Sequence, residues 1–113
     1  MTIRLDFARG GRIGHGKIAL LEAIDHEGSI AAASRRLGMS YPRAWSLVEA
    51  IDQALGLRAV TRAPGGQRGG GAGLTPAGRA LIRRYRDVEA AAQAAAGTPP
   101  DIAAEPGPKQ EPA

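Results

Sequence analysis

Cysteine is absent from these 113 residues, so neither a disulfide framework nor a thiolate metal site is possible. The two histidines, His15 and His26, fall on different predicted elements, and no carboxylate stands at a ligand spacing from either of them. No serine has a plausible histidine base nearby in the sequence. We therefore expect no metal, no cofactor and no enzymatic activity.

Long apolar runs are missing as well. The N-terminal segment MTIRLDFARG lacks the apolar core of a signal peptide, and no later segment approaches the length needed to span a membrane. These two absences favour a cytoplasmic protein with no membrane partner. Aromatic residues make up only 4% of the chain, so platforms for stacking RNA bases are scarce, which weakens an RNA-binding hypothesis.

Positive charge is in excess, and it is concentrated in residues 1–96. This segment holds 14 Arg or Lys against 8 Asp or Glu, whereas residues 97–113 hold one against three. Five of the eight prolines also lie in residues 97–113, so we predict one domain over 1–96 followed by a disordered proline-rich tail. A basic domain is suited to phosphate contacts with nucleic acid, although charge alone does not separate DNA from RNA or anionic lipid.

Residues 28–56, GSIAAASRRLGMSYPRAWSLVEAIDQALG, have the pattern of two short helices joined by a tight turn. Ser29 and Ser40 each stand where a helix N-cap is expected, and Gly38 stands where a left-handed C-cap favours glycine. The turn is therefore about three residues long, which is the connection found in DNA-binding helix-turn-helix units. An ordinary helical hairpin remains the alternative.

Apolar residues in these two helices repeat at helical spacing, which assigns one face of each to the core. The residues expected to face inward are Ile30, Ala31, Ala32 and Leu37 in the first helix and Ala44, Leu47, Val48, Ile51 and Leu55 in the second. The opposite face at the start of the second helix is left to meet a DNA groove. The predicted groove contacts are Ser40, Tyr41, Pro42, Arg43 and Ser46.

Individual roles follow from side-chain chemistry. Arg43 is the candidate for a guanine, and Pro42 can touch a thymine methyl group. Arg35 and Arg36 on the first helix are predicted to contact phosphates. Trp45 has two interpretations: its ring either packs in the core or against the wing, or approaches DNA.

The flanking segments complete a mainly α winged helix-turn-helix with a three-helix core. Residues 3–7 alternate like a short edge strand, residues 8–15 form a loop in which Arg12 and Ile13 could pair briefly, and residues 17–26 form the first core helix. Strands around 57–60 and 73–74 frame a glycine-rich hairpin tip. This hairpin is the predicted wing, with Arg68 at the phosphate backbone or in the minor groove. A surface loop without function is the alternative.

A long final helix is predicted over residues 75–96, about 33 Å at 1.5 Å per residue, with Thr75 as its cap and Pro76 in its first turn. Its apolar and small residues step by four and three, which is the spacing of a coiled-coil seam. The predicted dimerisation residues are Leu81, Tyr85, Val88 and Ala92. Alternatively, the first half of the helix packs on its own domain.

Residues 3–96 resemble the N-terminal winged-helix domain of ModE-type, molybdate-responsive transcriptional regulators. The resemblance rests on GSIAAASRRLGMSYPRAW, where the SY-x-x-AW run is most specific, on RAPGGQRGGGAGLT, and on the helix start LTPAGRALIRRY. LysR-type regulators are similar in the first half of the pattern and in the LT-x-x-G start of the last helix.

The ModE resemblance implies a homodimer that binds double-stranded DNA at a palindromic promoter site, with the helix from Ser40 in the major groove and the last helix dimerising. It also implies that oxyanion sensing belongs to separate C-terminal β domains. No such domain follows in these 113 residues, so we expect no molybdate site in them. A second hypothesis is a protein-interaction module that forms mixed dimers with a full-length, ligand-sensing relative.

Overall fold

The computed structural model describes residues 3–7, 10–62 and 71–96. Its elements follow the chain as two short strands, three helices, two further strands and a long helix. Their bounds are β1 Arg4–Asp6, β2 Arg12–Gly14, α1 His15–Glu27, α2 Ile30–Arg36, α3 Tyr41–Leu55, β3 Val60–Arg62, β4 Ala72–Leu74 and α4 Pro76–Ala96. The predicted tail at 97–113 and the wing tip with Arg68 lie outside the described residues.

The helix-turn-helix forms as its caps predict. The Ser29 hydroxyl accepts a hydrogen bond from the Ala32 amide at 3.0 Å, and the Ser40 hydroxyl accepts one from the Arg43 amide at 3.2 Å. Gly38 in the turn has a φ of +69°, a left-handed conformation that a residue with a Cβ rarely adopts. The turn between α2 and α3 is therefore fixed by local chemistry.

The core lies where α1, α2 and α3 meet, and it extends to the wing strands and α4. Fully buried side chains from the three helices include Ile18, Leu20, Leu21, Ile24, Ala33, Ala44, Val48 and Ile51. The first core helix forms as predicted, although it begins two residues earlier, and its apolar residues Ile18, Leu20, Leu21 and Ile24 are all buried.

One inward assignment in α2 was wrong. Leu37 is 37% exposed, and Ala33, which the sequence pattern had not singled out, is fully buried instead. The reason is that α2 ends at Arg36, so Leu37 is the C-cap with φ −93° and ψ 1° and no longer continues the helical spiral. Ala31 and Ala32 are only half-buried.

The N-terminal hairpin joins β1 and β2 in antiparallel register, with Leu5 opposite Ile13. The brief pairing considered for Arg12 and Ile13 is therefore confirmed. A Cβ at Gly11 would collide with Ala54, so the hairpin lies directly against the second half of α3. This close approach sets the hairpin beside α3.

The wing strands β3 and β4 pair antiparallel, with Val60 opposite Leu74, and lead directly into α4. The Thr75 hydroxyl accepts a hydrogen bond from the Gly78 amide at 3.0 Å and donates one to the Arg58 carbonyl at 2.6 Å. The predicted cap of α4 is thus confirmed, and the same hydroxyl ties the helix to the chain leading into the wing.

α4 crosses α1 through ion pairs as well as apolar contacts. The Arg86 guanidinium donates to both Glu22 carboxylate oxygens, at 2.7 and 3.1 Å, and to Glu89 at 2.8 Å. These two carboxylates raise the pKa of Arg86, first through hydrogen bonding by Glu22. The bidentate pair joins α4 to α1 one residue beyond the buried Tyr85.

Candidate nucleic-acid interface

The solvent-facing side of α3 forms one continuous stripe, which we call the exposed α3 stripe. It consists of Pro42, Ser46, Glu49 and Gln53, spaced by four, three and four residues. The opposite side carries Ala44, Val48 and Ile51, which are fully buried. The stripe therefore projects from the domain, while its backbone is held rigidly by the core.

The residues predicted to enter a groove all lie at the start of this helix and are exposed there: Ser40, Tyr41, Pro42, Arg43 and Ser46. The first turn contains no acidic side chain to repel phosphate. Glu49 and Gln53 were not included in the exposed side of α3 predicted from the sequence, although they continue the same spacing from Ser46. They continue the exposed surface of α3 by nearly two turns beyond Ser46, with one carboxylate at Glu49.

Trp45 lies at the wing side of α3 and links the helix to the wing. Its ring is half-buried, the Arg62 guanidinium carbon lies 4.3 Å from the ring centroid, and Tyr41 meets the ring edge-on at 6.2 Å between centroids. The interpretation of Trp45 as a wedge between helix and wing is therefore confirmed. The stacking presents the exposed Arg62 cation beside the start of α3.

The two arginines predicted at phosphates end α2 and are both exposed, but they differ in their partners. Arg36 Nη1 lies 2.7 Å from a Glu27 carboxylate oxygen and 3.1 Å from His26 Nδ1. The pKa of Glu27 is lowered mainly by this hydrogen bond from Arg36 and then by that of His26. Arg35 has no salt bridge to a described residue, so its charge is more available to DNA than that of Arg36.

Two of the predicted dimerisation residues are already buried within one chain. Leu81 is 4% exposed and Tyr85 1%, and the Tyr85 hydroxyl donates to the Ile3 carbonyl at 2.9 Å. This corrects the predicted seam, because neither side chain offers surface to a second copy. Val88 and Ala92 are half-buried. The first half of α4 thus packs on its own domain, as the alternative expected.

Other kinds of site receive no support from the geometry. Across residues 3–7, 10–62 and 71–96, no three His, Asp or Glu side chains come together as a set that could hold a metal ion. None of the helices in these ranges has both the length and the apolar character to cross a membrane.

Comparison with known families places this geometry among bacterial regulators. Residues 16–79 match the family described as "Bacterial regulatory helix-turn-helix protein, lysR family". Over 68% of this chain and 83% of the other, the fold is similar to that in the crystal structure of a CbnR_DBD-DNA complex, with a TM-score of 0.55 and 28% identity. The winged helix-turn-helix architecture is thereby confirmed.

Curated relatives bear out the ModE resemblance. The chain is 52% identical over 81 residues to the molybdenum-pterin-binding protein MopB of Rhodobacter capsulatus, covering 72% of this chain and 30% of MopB. It is 41% identical over 69 residues to the DNA-binding transcriptional dual regulator ModE of Escherichia coli K12, covering 61% of this chain and 26% of ModE. The chain thus spans about a third or less of the length of these two relatives.

Proposed function

This chain belongs to the LysR family of bacterial regulatory helix-turn-helix proteins and is a DNA-binding domain of that kind, and from this we propose that it is a sequence-specific transcriptional regulator. It acts as a homodimer on an inverted-repeat site, with α3 in the major groove. The observation that carries the proposal is the start of α3, where the polar and cationic side chains Ser40, Tyr41, Arg43 and Ser46 are exposed on a helix whose opposite side is fully packed in the core.

Base reading falls to the first two turns of α3. Arg43 is exposed and has no salt bridge to any residue that the structure describes, so its guanidinium is free to form paired hydrogen bonds with a guanine. Pro42 lies beside it and offers only apolar atoms, which suit a thymine methyl. Ser40, Tyr41 and Ser46 supply hydroxyls to bases or phosphates.

Phosphate contacts come from cations around the motif. Arg35 is the stronger candidate on α2, because Glu27 already pairs with Arg36. Arg62 is held over Trp45 at the base of the wing, where it can reach the backbone alongside α3. Arg68 remains a predicted contact at the wing tip. These contacts carry no sequence information but set the register of α3 on the duplex.

Dimerisation is proposed for the second half of α4. Beyond Tyr85 no side chain of this helix is fully buried. Val88 and Ala92 lie on the same side of α4 as Leu81 and Tyr85, farther along the helix. A second α4 packed along this stripe would bury them. Small alanine side chains allow the helices to approach closely but remove little apolar area from water, so the dimer is expected to be weak without DNA.

The test is selection of bound sequences from a random duplex pool by the purified protein, with its mass in solution measured alongside. An enriched inverted repeat bound by a dimer, with half-sites about 34 to 36 Å apart, would support the proposal. Absence of an enriched motif, together with a monomer in solution, would contradict it. That result would favour the interaction module, and pull-down with a full-length relative would then be the next experiment.

A further inference from the structure

The N-terminal hairpin lies along the side of α3 that faces away from the wing, and a second group of cations stands there, Arg12 from the hairpin and Lys17 from the first turn of α1. Arg12 and Lys17 line a cleft of about 360 Å³ together with Arg43 and Leu47 of α3. They also line a second cleft, of about 490 Å³, together with Gln53 and Ala54 near the end of the same helix. Arg12 and Lys17 therefore stand between two openings that follow α3 for most of its length.

The charges in this group are mostly not neutralised within the protein. Lys17 donates one hydrogen bond from Nζ to the Arg12 carbonyl at 2.7 Å, which positions the ammonium and leaves two further donors. Arg12 forms no salt bridge with a described residue. Arg4 also lines the first cleft, but Asp6 pairs with it at 2.9 Å, so Arg4 adds no net charge.

The position of these cations matches what lies beside a helix in the major groove. The groove is about 12 Å wide and a helix with its side chains is about 10 to 12 Å across, so one sugar-phosphate backbone runs along each side of the helix. On one side of α3 stands Arg62, fixed on Trp45. On the other side stand Arg12 and Lys17. They line clefts with Arg43, which borders the exposed α3 stripe, and with Gln53, which belongs to it.

We propose that the β1–β2 hairpin, together with the first turn of α1, acts as a second wing, in which Arg12 of the hairpin and Lys17 of α1 bind phosphodiesters of the DNA strand on the side of α3 opposite Arg62. This inference rests on the proposed function. It adds a DNA contact that the helix-turn-helix and the glycine-rich hairpin do not supply. The hairpin is held close to the second half of α3, where Gly11 has no room for a Cβ beside Ala54.

The test compares Arg12→Gln/Lys17→Gln with the wild-type chain on the selected duplex and on a scrambled duplex, by fluorescence anisotropy across a salt series. Each lost phosphate contact lowers the slope of log K against log salt by about 0.9. Raising the salt from about 50 to 200 mM weakens binding of both proteins. If two contacts are lost, the fold increase in Kd over this range is roughly twelve times smaller for the variant than for the wild type. Both duplexes lose affinity alike, because phosphates carry no sequence.

Control variants distinguish the loss of charge at Arg12 and Lys17 from a loss of folding and from a general loss of positive charge. Arg83→Gln removes an exposed cation from α4, away from the proposed second wing, and is expected to leave the salt slope unchanged. Arg12→Lys/Lys17→Arg keeps both charges and is expected to bind like the wild type. If the glutamine variant unfolds, the same question can be asked of the wild type with a duplex in which single phosphates are ethylated. Ethylation of phosphates on both sides of the major groove that holds α3 is then expected to reduce binding.

Two results would overturn the inference, and they differ in what they mean. A glutamine variant with wild-type affinity and salt slope, on a duplex that the wild type binds specifically, refutes the second wing and leaves the proposed function standing. A wild-type chain that binds neither duplex refutes both.

Discussion

The two longest helices, α3 and α4, both carry apolar residues at spacings of three and four, yet they bury different surfaces. In α3 the apolar side is covered by the protein's own domain along the helix, from Ala44 to Ala54. In α4 coverage ends at Tyr85, about halfway along its 21 residues. Periodicity therefore shows which side of a helix is apolar, but only the tertiary structure shows what covers that side.

The largest effect is expected where α4 belongs to the domain core. Leu81→Ala should lower the free energy of unfolding by about 2 to 5 kcal/mol, because it leaves a cavity among buried side chains. Urea denaturation at several protein concentrations measures this effect, and the loss should not depend on concentration. A loss of stability seen only at high protein concentration would place Leu81 in a dimer interface. It would contradict the statement that the first half of α4 is covered by its own domain.

The exposed side of α3 is tested next. Arg43→Ala should weaken binding to the selected site by about 1 to 3 kcal/mol and relax the preference at one base pair. Arg35→Ala is the matched control, because it removes an exposed arginine expected at a phosphate and should weaken binding to all duplexes alike. Binding curves on a set of single-base variants distinguish the two. Equal losses on specific and random DNA from Arg43→Ala would reject its assignment as a base contact.

The proposed dimer contact of the exposed half of α4 is tested by introducing a negative charge. Val88→Glu should weaken self-association by about tenfold or more, because a two-fold interface brings the two introduced carboxylates together. Ala90→Glu adds the same charge on the opposite side of the helix and should leave association unchanged. Sedimentation equilibrium on both variants gives the comparison, and identical behaviour of the two would remove Val88 from the interface.

The smallest effect concerns the salt bridge between Arg36 and Glu27 at the end of α2. Hydrogen bonding by Arg36 lowers the pKa of Glu27 in the folded state, so the pair contributes stability above the unfolded-state pKa of this carboxyl group. That contribution is lost as the pH falls through the lowered folded-state pKa. The loss of unfolding free energy on acidification should therefore be smaller in Glu27→Gln than in the wild type, and identical pH profiles would contradict this.

Much of the fold could be predicted because it is encoded locally. The caps at Ser29, Ser40 and Thr75 and the glycine at Gly38 act within three or four residues of themselves, so their sequence pattern suffices. Each is observed with the hydrogen bond or the backbone angle expected of it. The same is true of the exposed start of α3, which needs only the periodicity of one helix.

The missed features depend on contacts between distant parts of the chain. Arg12 meets α3 because the hairpin folds back against Ala54, and Arg62 stacks on Trp45 across 17 residues. Tyr85 is buried in the core, and its hydroxyl donates a hydrogen bond to Ile3, 82 residues away. No spacing rule within one element reports such contacts. The cations beside α3 could therefore not be predicted, and the spacing in α4 could not decide between a dimer seam and packing on the same domain.

The central claim, that the start of α3 reads bases in the major groove, is tested most directly by methylation interference on the selected duplex. Dimethyl sulfate places a methyl group on guanine N7 in the major groove and on adenine N3 in the minor groove. The account predicts that N7 methylation of a guanine in each half-site blocks binding of the wild type, and that Arg43→Ala no longer responds to it. Interference only from adenine N3, with guanine N7 methylation tolerated throughout the site, would contradict the claim.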